Sequence, residues 1–168
     1  MDLEHADLLV KECPNNCDSF DSLFSLQGLR VLIVDGDVDT LDIFSFVLQE
    51  KEAEVFGTTS IAEAIAKASI WYPDVLICNI SLPGQDGYAL LHELRGLQTD
   101  PARNLSAIAV TTLLRQQDSL KLLSQNFPLE GFQKYLPKPT DVYELVAVVA
   151  ELARPQTPTN QSFTSGGN

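Results

Sequence analysis

Five times along the chain, a short and continuously apolar run gives way to a longer segment with apolar residues three and four positions apart. The first pair is "RVLIV" (30–34) and "DTLDIFSFVLQEKE" (39–52), in which Leu41, Phe44, Val47 and Leu48 fall on one helical face. "AEVFGTT" (53–59) and "SIAEAIAKASIWY" (60–72) repeat the alternation, with Ser60 and Glu63 spaced as a capping box. "DVLICN" (74–79) with "GYALLHELRGL" (87–97) makes the third pair, and "LSAIAVTT" (105–112) with "QDSLKLLSQ" (117–125) the fourth. "FQKYLP" (132–137) and "TDVYELVAVVAELA" (140–153) complete the series. Strands that are apolar throughout must be covered on both faces, so strand and helix in alternation predict an α/β domain with a parallel sheet.

Five such units predict a doubly wound, flavodoxin-like (βα)5 domain over residues 29–154, with its site at the carboxyl ends of the strands. Residues 1–28 hold six acidic residues against one lysine and are expected to be a mobile arm. Residues 155–168, "PQTPTNQSFTSGGN", form a polar tail with nothing to bury. The formal charge of −12 argues against a nucleic-acid partner. No apolar run approaches the about 18 residues of a membrane span, and the acidic amino end is unlike a secretory signal, so a cytoplasmic location is expected. Three cysteines do not suggest a disulfide framework. Cys78 reads as a small core residue. Cys13 and Cys17, in "CPNNC" with His5 upstream, lack the further closely spaced ligands of a zinc site and read as incidental thiols.

The predicted strand ends gather particular side chains. Strand one delivers Asp35-Gly36-Asp37, strand three Asn79, strand four Thr111-Thr112, and strand five Lys138 before Pro139. An acid, an amide, a hydroxyl and a lysine at one edge have the composition of a phosphoryl-transfer site that has lost part of its charge. "VLIVDGDVDTL", "PDVLICNISLPGQDGYALLHELR", "AIAVTT" and "FQKYLPKP" resemble, in order, the signature segments of bacterial response-regulator receiver domains, the CheY-like family. The resemblance covers about residues 29–153. It implies a Mg2+-binding acidic pair on strand one, a phosphoacceptor Asp on strand three, a hydroxyl and a lysine that hold the phosphoryl oxygens, and an aromatic that changes rotamer. Asp35 matches the first acid, Thr111 the hydroxyl, Lys138 the lysine and Tyr135 the aromatic.

Two positions depart from that pattern. Gly36 stands where the second acid is expected, and Asn79 stands at the phosphoacceptor. An amide oxygen is neutral and its nitrogen lone pair is delocalised, so Asn79 is not expected to form an acyl phosphate. With only Asp35 left as a ligand, Mg2+ binding is expected to be weak or absent, because that ion dehydrates reluctantly. Both losses strike a step that depends on charge placement. Asp37 lies one residue beyond the match and is not expected to rescue it. Asp86 reads as a turn and cap residue, Ser81 has no visible base, and Thr112 adds bulk where the family usually has a small residue. Lys138 is expected to pair with Asp35, with the Asn79 amide oxygen as a further acceptor. Tyr135 then becomes a packing residue, and the pocket is expected to rest in one state.

These readings describe a pseudo-receiver, a non-enzymatic module that acts through protein contact in a two-component phosphorelay network. Its expected partner is a histidine kinase or another response regulator. A homodimer through the fourth helix, fifth strand and fifth helix is also compatible, and the interval from Thr111 to Lys138, lengthened by "NFPLE", lies next to that face. Two alternatives remain: a pseudo-receiver that senses a small molecule, and a receiver phosphorylated at an atypical residue. Against flavin, no Ser/Thr/Gly-rich phosphate loop follows strand one.

Overall fold

The computed structural model describes residues 24–98, 104–112 and 131–153. Residues 1–23 of the expected arm, with Cys13 and Cys17, the expected fourth helix, the "NFPLE" segment and the polar tail lie outside the described residues. Residues 24–28, expected to belong to the arm, instead pack on the domain, with Leu26 buried and its N–H donating to the Lys51 carbonyl at 2.8 Å.

Five parallel strands form one sheet in the order β2-β1-β3-β4-β5. They are β1 (Arg30–Val34), β2 (Glu54–Thr58), β3 (Val75–Asn79), β4 (Ser106–Thr111) and β5 (Lys134–Pro137). Among the described residues four helices accompany them: α1 (Val38–Glu50), α2 (Ile61–Trp71), α3 (Gly87–Leu97) and α4 (Val142–Ala153). β1 is paired on both sides, with Val31 beside Val55 of β2 and Val75 of β3. The chain reverses its direction of winding between β1 and β3, so their carboxyl ends flank the crevice that such sheets use for binding.

Period-two alternation divides each strand between two cores. Val31, Ile33, Val75, Ile77, Ile108 and Val110 face the side covered by α1 and α4. Leu32, Val34, Leu76, Cys78, Ala107 and Ala109 face α2 and α3. On α1, Leu41, Phe44 and Leu48 are buried, which are three of the four residues expected on that face, while Val47 packs at its margin.

The helix starts follow from short polar side chains. The carboxylates of Asp37, Asp86 and Asp141 accept backbone N–H groups at the first turns of α1, α3 and α4. At α2 the expected capping box is only half formed. Ser60 Oγ accepts from Glu63 N at 3.3 Å, but the Glu63 carboxylate accepts from Thr58 Oγ1 instead of the Ser60 amide. That amide donates to Thr58 Oγ1 at 3.0 Å, so the buried threonine occupies the place the box would give to glutamate.

Between β3 and α3 the chain forms a two-residue antiparallel ladder. Ser81 pairs with Asp86 and Leu82 with Gln85 around Pro83-Gly84. Gly84 has φ of 78°, a conformation that a turn with proline at its second position and glycine at its third requires.

Candidate functional site

Asp35 follows β1 directly and is 2% exposed. Its backbone N–H donates to the Thr58 carbonyl at 3.3 Å, which ties it to the end of β2. Three donors meet its carboxylate. Asp37 N donates to Oδ1 at 3.0 Å and Asn79 Nδ2 to the same oxygen at 3.3 Å, while Lys138 Nζ donates to Oδ2 at 2.5 Å. The Lys138 and Asp35 side chains are 15% and 3% exposed, so the ion pair is largely withdrawn from water.

Asn79 ends β3, and both ends of its amide are engaged. Nδ2 donates to Asp35, and Oδ1 accepts from Ser81 N at 3.0 Å. The expected Lys138–Asp35 pair is therefore present. The expected contact from Lys138 to the Asn79 oxygen is replaced by the Ser81 amide, which the tight ladder turns back towards the strand end. A carboxylate at position 79 would place an oxygen where Nδ2 now donates, about as close to a second carboxylate. The amide converts that repulsion into a hydrogen bond.

Gly36 is exposed. A Cβ built on it would stand 3.4 Å from Pro83 Cδ, at ordinary contact distance. Asp37 is turned outward as the α1 cap and accepts from Thr40 Oγ1 at 2.6 Å. That hydrogen bond is the main reason its carboxyl lies below the usual aspartate value. No second carboxylate therefore joins Asp35. Among the described residues no group of three or more His, Cys, Asp or Glu is arranged to hold a metal ion. The Mg2+ that the family pattern implies does not fit these donors: Gly36 supplies no ligand, Asp37 is committed to its helix, and Asp35 already accepts three hydrogen bonds, one from the Lys138 ammonium.

Thr111 is buried at the end of β4, opposite Pro137 in the register. Its carbonyl accepts from Tyr135 Oη at 3.1 Å and from Lys138 N at 3.2 Å. Tyr135 is thereby drawn inward and packs against the α2/α3 core. The Lys138-Pro139 peptide is cis, and Thr112 is exposed.

One positioning residue escaped the sequence reading. Gly87 opens α3, and a Cβ there would lie 2.8 Å from the Asn79 carbonyl oxygen and 3.1 Å from Cys78 Sγ. Its N–H donates to the Ile80 carbonyl at 3.0 Å. The helix start can abut β3 only because this residue lacks a side chain, and the Asp-Gly dipeptide at the helix entry was the available signal. Beneath it, burial pushes the Cys78 thiol far up from its ordinary value, with the charges of Asp35 and Asp86 adding to the shift.

A family profile described as the response regulator receiver domain matches residues 31–150. An uncharacterized 14.6 kDa protein in the sodA1 3' region of Leptolyngbya boryana is 32% identical over 127 residues, covering 76% of this chain and 92% of that protein. The DNA-binding dual master transcriptional regulator RpaA of Synechocystis sp. is 30% identical over 125 residues, which are 74% of this chain and 49% of RpaA. The chain thus spans about half the length of RpaA. Among solved structures, a CheY-like response regulator receiver domain protein from Methanospirillum hungatei superposes with a TM-score of 0.61 at 27% identity, over 73% of this chain and 91% of that one. With the fold and the profile in agreement, the chain belongs to the response regulator receiver domain family of two-component signalling.

Proposed function

We propose that this receiver signals through protein contact without passing through an aspartyl phosphate. The observation that carries this reading is the closed set of hydrogen bonds at Asp35, in which Lys138 and Asn79 satisfy the carboxylate. An unphosphorylated receiver with two neighbouring carboxylates keeps like charges in tension, which a bound Mg2+ relieves, and that ion then holds the added charge of a phosphoryl group. Here the neutral amide removes the tension, so neither Mg2+ nor phosphate has charge to reorganise. The chain then acts as a non-enzymatic, cofactor-free cytoplasmic module.

Its partner is a histidine kinase or another response regulator, classes to which receivers couple. Val38, Ile43 and Phe46 on α1 and Tyr143 on α4 are exposed apolar side chains on two helices packed beside each other, and they support a contact surface next to the strand-end edge. The region matched in RpaA and in a hybrid signal transduction histidine kinase D of Dictyostelium discoideum supports the same setting.

Intact mass after incubation with acetyl phosphate and Mg2+ tests the reading in three proteins: wild type, Asn79→Asp, and Asn79→Asp combined with Gly36→Asp. The expected outcome is no adduct in the wild type and a phosphate adduct in the double variant. Position 36 has room for a Cβ, so the second acid is sterically acceptable. A stoichiometric adduct in the wild type would establish phosphorylation at another residue and sink the proposal.

A further inference from the structure

At the edge of the sheet opposite Asp35 lies an open groove of about 510 Å³ whose lining is more apolar than polar. It is lined by Arg95, Asn104, Gly131, Phe132 and Gln133, from the last turn of α3 and the residues just before β4 and β5. The strand-end site does not use any of them.

Arg95 is the unusual member. One guanidinium nitrogen, Nη2, donates to the Leu105 carbonyl at 3.1 Å and reaches Gln133 Oε1 at 3.5 Å. That glutamine oxygen also accepts from Ala107 N at 2.7 Å, so its place is fixed by β4. Arg95 Nε is buried without a hydrogen-bond partner. Among the described residues no carboxylate pairs with this guanidinium. Nη1 lies over Gly131, where φ is 104° and a Cβ would stand 2.4 Å from that nitrogen. Burial holds the group below the ordinary arginine value. The Leu105 carbonyl, just before β4, engages one guanidinium nitrogen but leaves Nε idle and the open groove beside it unexplained.

We propose that this groove binds a small molecule through an oxyanion, carboxylate or phosphate, recognised by the Arg95 guanidinium. The planar fork of arginine matches two oxygens of such a group, and a rotation about the last side-chain bonds would bring Nε–H to the ligand. Asn104 adds an amide at the rim. A ligand here would touch Gln133, the residue before β5, and so the strand that leads to Lys138.

The test is a titration of the full 15N-labelled chain with sodium succinate and, separately, with inorganic phosphate, each compared with sodium chloride at matched ionic strength. Saturable shifts at the amides of Gly131, Phe132 and Gln133 are expected with at least one anion, and the anion that saturates identifies the class. Arg95→Gln should weaken binding by about tenfold or more, since a charged hydrogen bond is removed. Arg95→Lys keeps the charge but not the fork, and a folded Arg95→Lys that has lost saturation supports the proposal even if Arg95→Gln does not fold. Shifts no larger than those of chloride with both anions would overturn it, as would saturable shifts unchanged in the folded Arg95 variants.

Discussion

The Asp35 carboxylate gathers donors from three separate stretches of chain: Asp37 N, Asn79 Nδ2 and Lys138 Nζ. Removing the lysine head group would leave a nearly inaccessible anion with two neutral donors. Lys138→Met keeps most of the stem packing and is expected to cost about 3 kcal/mol, the scale of a broken buried pair. Urea unfolding of Lys138→Met, Asp35→Asn and the double variant measures this. The double variant should recover a large part of the loss, because it no longer buries an unpaired charge. A loss under about 0.5 kcal/mol in Lys138→Met, the range of a surface substitution, would show that water reaches the pair freely. The pairing was legible in the sequence, since one acid and one lysine at the same carboxyl edge of the sheet, with no second acid at the matching position, have few other partners. The second half of the Asn79 amide was not. Its acceptor role is filled by Ser81 N, and the direction of a backbone N–H depends on the turn geometry that the short ladder sets.

At the scale of the element, α3 contains two glycines with opposite demands. Gly87 faces the end of β3, with a built Cβ 2.8 Å from the Asn79 carbonyl, 3.0 Å from Ile80 Cα and 3.1 Å from Cys78 Sγ. Two of those neighbours are backbone and cannot swing aside. Gly87→Ala should therefore push α3 away from β3 and destabilise the protein by about 2 kcal/mol, as overpacked sites do. Gly96, late in the same helix, has nothing within 4 Å of a built Cβ. Gly96→Ala should stabilise by about 0.5–1 kcal/mol through helix propensity alone. Thermal unfolding of both variants decides it, and equal effects of the same sign would mean that the contact at β3 does not govern α3. The existence of this helix, with its start at Gly87, was readable from the Asp-Gly step and the apolar spacing of Leu90, Leu91 and Leu94. The close approach was not readable, because a period locates a helical face without giving its distance from the strand. The half-formed box at α2 failed for a related reason: Thr58 belongs to another element, and only the fold brings its hydroxyl between Ser60 and Glu63.

Across the whole molecule, the division of each strand between two cores explains why the fold class could be read from apolar runs alone: a strand covered on both faces cannot carry polar alternation. The amino-edge groove left no such trace, since Arg95, Asn104 and Gln133 are ordinary surface residue types until the chain brings them together. Charge also acts at this scale. A formal −12 on 168 residues repels itself in the compact state. Raising sodium chloride from about 10 mM to about 100 mM shortens the screening length from about 30 Å to about 10 Å, which weakens repulsion between exposed carboxylates. The urea midpoint of the wild type should therefore rise with salt. The Lys138–Asp35 pair, with side chains 15% and 3% exposed, lies where screening reaches poorly. The stability difference between wild type and Lys138→Met should stay nearly constant while both midpoints climb. A midpoint that falls with salt would show that exposed ion pairs outweigh the net repulsion. A difference that shrinks in step with ionic strength would place the lysine in solvent, and the closed pocket on which the phosphorylation-independent reading rests would open with it.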